Sequence, residues 1–129
     1  MALTITEFRA RKSSGKKLAL LTSYDAPTAR ALEAAKIDAI LIGDSVGTNV
    51  LGYDSVTQVT VNDIIHHARA VARGAPDTLL IADLPFLSFQ ASDSQALHNS
   101  RRIIQRGQAQ AVKLEGGRAF ENRVRAIVT

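Results

Sequence analysis

The sequence predicts one α/β domain, residues 1–129, in which parallel strands alternate with helices. Four short apolar runs are separated by segments that carry helix-start and helix-stop residues. Parallel neighbours require a crossover connection, so strand and helix signals that alternate at roughly thirty residues per unit indicate parallel βα units. Periodicity alone is compatible with an open doubly wound sheet or with part of a (βα)8 barrel.

The composition is that of a chain that folds around an apolar core. Of its 129 residues, 46% are hydrophobic and 22% are charged, and none is Cys. The lack of Cys excludes a disulfide scaffold, a thiolate metal site and a cysteine nucleophile, and it agrees with a cytoplasmic location. No apolar run approaches the roughly 18 to 20 residues of a membrane span. The basic residues are scattered without interleaved aromatics, so we expect neither a membrane nor a nucleic-acid partner.

The first helix is predicted by a capping box, Thr4-x-x-Glu7, and ends at the Ser-Ser-Gly of 13–15. We expect it to be amphipathic, because the first 17 residues lack the apolar core of a secretory signal. A continuous apolar run at 18–24 then predicts a strand that is covered on both faces. Asp25 is expected to cap the helix that follows.

The second strand is predicted at 38–44, followed by a long irregular segment. The next helix is expected from the Thr60-x-x-Asp63 box to residue 74. Two further units follow: a strand at 78–83 with a helix at 92–107, and a strand at 111–115 with a helix at 119–128.

Carboxylates stand where three successive strands end. Asp44, Asp83 and Glu115 lie at or next to those ends, which is where barrel enzymes place their active sites. Lys113 and Glu115 lie two residues apart and so point to the same face of the fourth strand. Taken alone, Asp44 or Asp83 would be interpreted as a helix cap or turn residue. Lys113 and Glu115, taken alone, would be as consistent with a simple ion pair as with a functional site. Recurrence at three strand ends favours a site for Mg²⁺, which prefers carboxylate oxygens.

The three histidines do not suggest a metal site. His66 and His67 are adjacent on a predicted helix and therefore face different directions, and His98 stands alone. We expect them to be solvated or interface side chains.

Six short motifs occur in order along the chain: SYD at 23–25, IGDSVG at 42–47, GYDS at 52–55, VARGAP at 71–76, ADLPF at 82–86 and VKLEGG at 112–117. Together they resemble the ketopantoate hydroxymethyltransferase family. The resemblance implies a (βα)8 barrel, of which this chain holds the N-terminal helix and about four βα units. It also implies transfer of a hydroxymethyl group from the co-substrate 5,10-methylenetetrahydrofolate to 3-methyl-2-oxobutanoate, through an enolate bound to Mg²⁺.

The resemblance also implies roles for particular residues. Asp44, Asp83 and Glu115 match the family's metal-binding residues, Glu115 directly or through water. Ser45 and Lys113 match groups that hold the carboxylate of the ketoacid, so the substrate-binding residues are expected to be Asp44, Ser45, Asp83 and Lys113.

The length is the main departure from the family, since a complete barrel of about 250 residues has eight units. No residue here matches the family's glutamate general base, which is expected downstream, so no catalytic residue is assigned. We therefore expect the chain alone to be inactive, and to pair with a C-terminal half or with itself as a homo-oligomer.

Two alternatives remain open. One is another enzyme of the phosphoenolpyruvate mutase and isocitrate lyase superfamily, whose members tend to carry Asp-x-Asp at strand three, where this chain has the single Asp83. The other is a non-catalytic half-barrel with a role in structural association.

Overall fold

The computed structural model describes residues 2–129, which contain one sheet of four parallel strands. The strands are β1 (Leu20–Thr22), β2 (Ala39–Ile42), β3 (Leu79–Asp83) and β4 (Ala111–Lys113). Their order in the sheet is the order in the chain, β1-β2-β3-β4. The predicted parallel α/β fold is confirmed, although each strand is shorter than its apolar run.

Six α-helices accompany the strands. They are α1 (Ile5–Ser14), α2 (Ala26–Ala34), α3 (Val46–Asn49), α4 (Val61–Gly74), α5 (Asp93–Gly107) and α6 (Glu121–Val128). Short 3₁₀ helices at Val56–Gln58 and Gly117–Phe120 lie in the connections before α4 and α6. The segment predicted as irregular after β2 thus contains α3 and one of these turns.

The helix starts follow the predicted caps. In the two capping boxes the Thr4 and Thr60 side chains accept from the backbone N–H three residues on, and the Glu7 and Asp63 carboxylates accept in return. Asp25 Oδ1 accepts from the N–H of Thr28 at 2.8 Å and starts α2. Each cap satisfies a backbone donor that has no partner inside the helix.

The two faces of the sheet have different coverings. Ile40, Ile42, Leu80 and Ala82 pack against α2, α4 and α5 in the main core. On the other face, a smaller cluster contains Ala39, Leu79 and Ile81, and the side chains of Leu3, Phe8, Leu41 and Ala111 pack against it. Since alternate residues share a face, Asp83 continues the face of Leu79 and Ile81. The carboxyl edge of this second face, where the strands end, is therefore polar.

Two expectations about the start of the chain are wrong. The strand β1 is not covered on both faces: Leu20 is 41% exposed and Leu21 is 52% exposed. It lies at the edge of the sheet, with β2 as its paired strand. The helix α1 is not amphipathic, since it has no buried residue and only Phe8 packs partly against the sheet.

Across the helices of residues 2–129, none has the length and apolar character to cross a membrane.

Candidate active site at the carboxyl edge of the sheet

The register of β3 and β4 brings Asp83 and Lys113 together. These two residues are direct neighbours across the parallel pair, so their side chains point to the same face of the sheet. Lys113 Nζ lies 2.9 Å from Asp83 Oδ1, and the Asp83 side chain is only 5% exposed. Burial of the carboxylate is thus compensated by a neighbouring ammonium.

Glu115 is the second partner of Lys113. Its Oε1 lies 3.2 Å from Lys113 Nζ, as expected for residues two apart, but Glu115 lies beyond the end of β4 and its side chain is 73% exposed. Burial lowers the pKa of the Lys113 ammonium, but the two carboxylates outweigh this effect and raise it overall. Lys113 therefore stays protonated.

Asp44 approaches the same group through its backbone. Its N–H donates to Asp83 Oδ2 at 2.9 Å, which fixes the end of β2 beside the end of β3. Burial, together with the negative charges of Asp83 and Glu115, raises the pKa of the Asp44 carboxyl, while Lys113 acts in the opposite direction. We call Asp44, Asp83, Lys113 and Glu115 the Lys113 cluster.

Ser45 lies at the start of α3, next to the Lys113 cluster. Its Oγ is 2.7 Å from the phenolic oxygen of Tyr24, which also accepts from Asn49 Nδ2 at 3.0 Å. A Cβ added at Gly43 would lie 3.0 Å from Ser45 Oγ and 3.5 Å from Asp83 Oδ2. Both oxygens therefore lie close to Gly43, which places Ser45 Oγ near the Lys113 cluster.

The cluster offers donors for a cation but no complete set of three protein ligands. Among residues 2–129, no three His, Cys, Asp or Glu side chains are grouped to hold a metal ion. Asp83 Oδ1 is buried, and its close partner among the described residues is Lys113 Nζ at 2.9 Å. Because Mg²⁺ commonly takes one or two protein carboxylates and keeps several waters, this arrangement fits a hard divalent cation.

The histidines lie outside the Lys113 cluster. His67 Nδ1 donates to the carbonyl oxygen of Tyr24 at 2.9 Å, and His66 and His98 are exposed. The expectation of a solvated or interface side chain therefore does not describe His67, which is half-buried and hydrogen-bonded within the chain.

Two neighbours of the site, Tyr24 and Asn49, are not among the residues predicted from the sequence. The sequence does contain one clue to Tyr24, because it follows the first apolar run just as Asp44 follows the second. The clue to Asn49 is weaker, since it lies four residues after Ser45 on a helix of only one turn.

Curated relatives share nearly the whole of this chain. A protein named 3-methyl-2-oxobutanoate hydroxymethyltransferase from Dehalococcoides mccartyi is 51% identical over 128 residues, which cover 99% of the chain and 46% of the relative. Proteins of the same name from Listeria monocytogenes and Geobacillus kaustophilus are 48% and 51% identical over 92% and 86% of the chain. The chain spans about half the length of the relatives it matches.

Solved structures share the fold at low sequence identity. A 2,3-dimethylmalate lyase, a member of the PEP mutase/isocitrate lyase superfamily, superposes with a TM-score of 0.72 at 21% identity, over 95% of this chain and 46% of that one. An oxaloacetate acetylhydrolase gives a TM-score of 0.68 at 16% identity, over 95% of this chain and 46% of that one. The predicted barrel family is therefore confirmed, with this chain corresponding to part of the barrel.

The sequence comparison decides between the families that share this barrel. The model of the ketopantoate hydroxymethyltransferase family matches residues 2–129, the same residues that build the sheet and the Lys113 cluster. The chain belongs to the ketopantoate hydroxymethyltransferase family.

Proposed function

We propose that this chain supplies the ketoacid-binding and metal-binding part of an enzyme that makes 2-dehydropantoate. The reaction transfers a hydroxymethyl group from 5,10-methylenetetrahydrofolate to 3-methyl-2-oxobutanoate. The observation that supports this proposal best is the Lys113 cluster, which combines a protonated ammonium with carboxylates at the carboxyl edge of the sheet. Family membership supports the choice of reaction.

Mg²⁺ is the proposed cofactor, held by Asp44 and Asp83, with Glu115 as a direct or water-mediated partner. The raised pKa of Asp44 reflects burial and the repulsion between these carboxyl groups, which a cation would relieve. When bound, Mg²⁺ supplies positive charge that polarises the substrate ketone and favours loss of the proton at C3.

Lys113 and Ser45 are proposed to hold the carboxylate of the ketoacid. An ammonium has three N–H donors, and Lys113 contacts two carboxylates, so one donor is available to an anion. Ser45 Oγ lies near Gly43, as does Asp83 Oδ2. These groups orient the substrate, with its ketone toward Asp44 and Asp83.

The general base and most of the folate-binding surface are assigned to a C-terminal half. No side chain of this chain is proposed to remove the C3 proton. The partner is therefore that C-terminal half, with a homo-oligomer as the alternative, and the exposed apolar residues of β1 support such a contact.

The test uses a fusion that we call the reconstituted protein. It joins residues 1–129 to the C-terminal part of the Dehalococcoides mccartyi relative that lies beyond the matched region. With Mg²⁺ and both substrates we expect 2-dehydropantoate from the reconstituted protein and none from residues 1–129 alone. The matched control is the same fusion with Asp83→Asn.

Two results would count against the proposal. One is a folded reconstituted protein that binds Mg²⁺ but gives no product. The other is unchanged turnover in the Asp83→Asn fusion, which would place the metal elsewhere.

A further inference from the structure

We propose that Tyr24 sets the direction of the Ser45 hydroxyl, so that Ser45 donates its proton to the carboxylate of the ketoacid. Tyr24 would then be a positioning residue, because it acts through Ser45 and does not touch the substrate. This inference rests on the proposed function, in which Ser45 binds the ketoacid.

Three side chains form a short chain of hydrogen bonds. Asn49 Nδ2 donates to the phenolic oxygen of Tyr24 at 3.0 Å, and that oxygen lies 2.7 Å from Ser45 Oγ. Asn49 and Ser45 belong to the same helical turn, since the N–H of Asn49 donates to the carbonyl oxygen of Ser45 at 2.9 Å. The phenol thus bridges two side chains that are four residues apart.

The donor and acceptor groups of these side chains decide which atom donates in each hydrogen bond. An amide NH₂ can only donate, so it occupies a lone pair of the phenolic oxygen. The phenolic proton then needs an acceptor, and Ser45 Oγ is the one within reach among the described residues. A serine hydroxyl that accepts from Tyr24 keeps its own proton for another partner.

That proton is available to the site. No other side chain or backbone group within residues 2–129 hydrogen bonds to Ser45 Oγ. The oxygen lies near Gly43, and so does Asp83 Oδ2 of the Lys113 cluster. A carboxylate bound beside Ser45 and the Lys113 ammonium would receive the Ser45 proton as a charge-assisted hydrogen bond.

Two further contacts hold Tyr24 in position. Its carbonyl oxygen accepts from His67 Nδ1 on α4 at 2.9 Å, and its ring packs against the main core. A phenol held in this way can impose one orientation on Ser45, instead of following the rotation of the serine hydroxyl.

Reversing the direction of these hydrogen bonds distinguishes the positioning role of Tyr24 from a role in which it only stabilises α3. In Asn49→Asp, a carboxylate replaces the amide and can only accept, so the phenolic proton turns toward residue 49. Ser45 must then donate its proton to Tyr24, so that proton is no longer available to the substrate. Asn49→Ala removes the bond without reversing the direction and serves as the matched control.

The experiment measures kcat and KM for 3-methyl-2-oxobutanoate in the reconstituted protein. We expect Asn49→Asp to raise KM roughly tenfold and Tyr24→Phe roughly threefold, with kcat changed by less than about twofold, because substrate binding is what is lost. Asn49→Ala should change KM by less than about threefold. In a Ser45→Ala background, Asn49→Asp and Tyr24→Phe should have little further effect, since residues that act through one group are not additive.

The outcomes distinguish this inference from the proposed function. Equal effects of Asn49→Asp with and without Ser45 would overturn the role of Tyr24, because the new charge would then act directly on the substrate. Inactivity of the unsubstituted reconstituted protein would count against the proposed function instead. In that case, neutron diffraction from crystals of the reconstituted protein still decides the inference. Deuterium on the phenolic oxygen must point to Ser45 Oγ, and the opposite direction would overturn the proposal.

Discussion

At the scale of single residues, Asp83 connects the fold to the chemistry. Its Oδ2 accepts from the backbone of Asp44, which holds β2 and β3 in register at their ends. Its Oδ1 has only the ion pair with Lys113. One oxygen therefore stabilises the loop after β2, and the other faces the Lys113 ammonium, whose place beside Asp83 a bound metal ion would share or take.

Asp83→Asn tests this division of roles. The amide oxygen can still accept from Asp44, but the negative charge is lost, so we expect Mg²⁺ affinity in the reconstituted protein to fall at least about tenfold. Isothermal titration calorimetry measures the change, with the exposed and distant Asp77→Asn as control. Unchanged affinity in both Asp44→Asn and Asp83→Asn would show that the metal site is misassigned.

Lys113→Met separates substrate binding from an ion pair that serves only the fold. The substitution leaves the buried Asp83 carboxylate without its ammonium, which costs stability, but Asp83 Oδ2 still accepts from the Asp44 N–H, and we expect the protein to stay folded. If Lys113 holds the ketoacid, KM should rise at least about tenfold while kcat changes little.

Lys113→Met combined with Asp83→Asn is the control for this prediction, because it removes both charges of the ion pair. Circular dichroism and thermal unfolding follow the fold, and steady-state kinetics follow KM. A Lys113→Met variant that is insoluble, with solubility restored in the double variant, would indicate a structural ion pair and contradict the binding role.

Sequence predicted the positions of Asp44, Asp83 and Lys113, because each lies at or next to the end of an apolar run. It also predicted that Lys113 and Glu115 share a face, which their contact confirms. It did not predict the bond from Tyr24 to Ser45, because that bond depends on how the loops after two different strands approach each other. Spacing along the chain carries no information on such a contact.

At the scale of secondary-structure elements, the end of α4 limits how closely the helices pack. A Cβ added at Gly74 would lie 2.3 Å from the carbonyl oxygen of Ala26 at the start of α2. Backbone that close cannot move aside as a flexible side chain would. The glycine is therefore required by the contact between α2 and α4, where α2 leads directly from Tyr24.

Gly74→Ala should destabilise the chain by about 1 to 3 kcal/mol, the usual cost of overpacking. Gly107→Ala is the matched control at the end of α5, where the added Cβ would meet the Ala68 side chain at 3.3 Å, a contact that needs a smaller adjustment. Urea unfolding of both variants measures the difference. A smaller loss for Gly74→Ala than for Gly107→Ala would contradict this account.

The helices were more predictable than the strands. Four helix starts carry caps that depend on residues within a turn of one another, such as Thr60 with Asp63. The covering of a strand depends on distant parts of the chain, and the apolar run at β1 does not reveal that it lies at the sheet edge. The apolar run at β1 therefore predicted that a strand forms there, but not which elements pack against it.

At the scale of the whole molecule, the sheet has two open edges. β1 and β4 each pair with one strand among the described residues, and Leu20 and Leu21 expose apolar surface beside the first of them. Unpaired edges with apolar side chains favour association with another chain. The proposed C-terminal half and a second copy of this chain are the two candidates for such a partner.

We expect residues 1–129 in isolation to self-associate, and Leu21→Lys to weaken that association, because a charge at a strand edge opposes pairing. Sedimentation velocity over a range of concentrations measures it, with Leu97→Lys on the exposed face of α5 as control. A monodisperse monomer that catalyses full turnover would refute both this expectation and the assignment of the base to a C-terminal half.

The order of the strands in the sheet also bears on how the protein is made. Because β1, β2, β3 and β4 pair in the order of the sequence, each new strand finds its neighbour already synthesised by the ribosome. Within the four described strands, each pair joins segments that are consecutive in the chain, so the separation between paired segments is only that of one crossover connection. The sheet can therefore grow by one strand at a time during translation, with β4 as the growing edge.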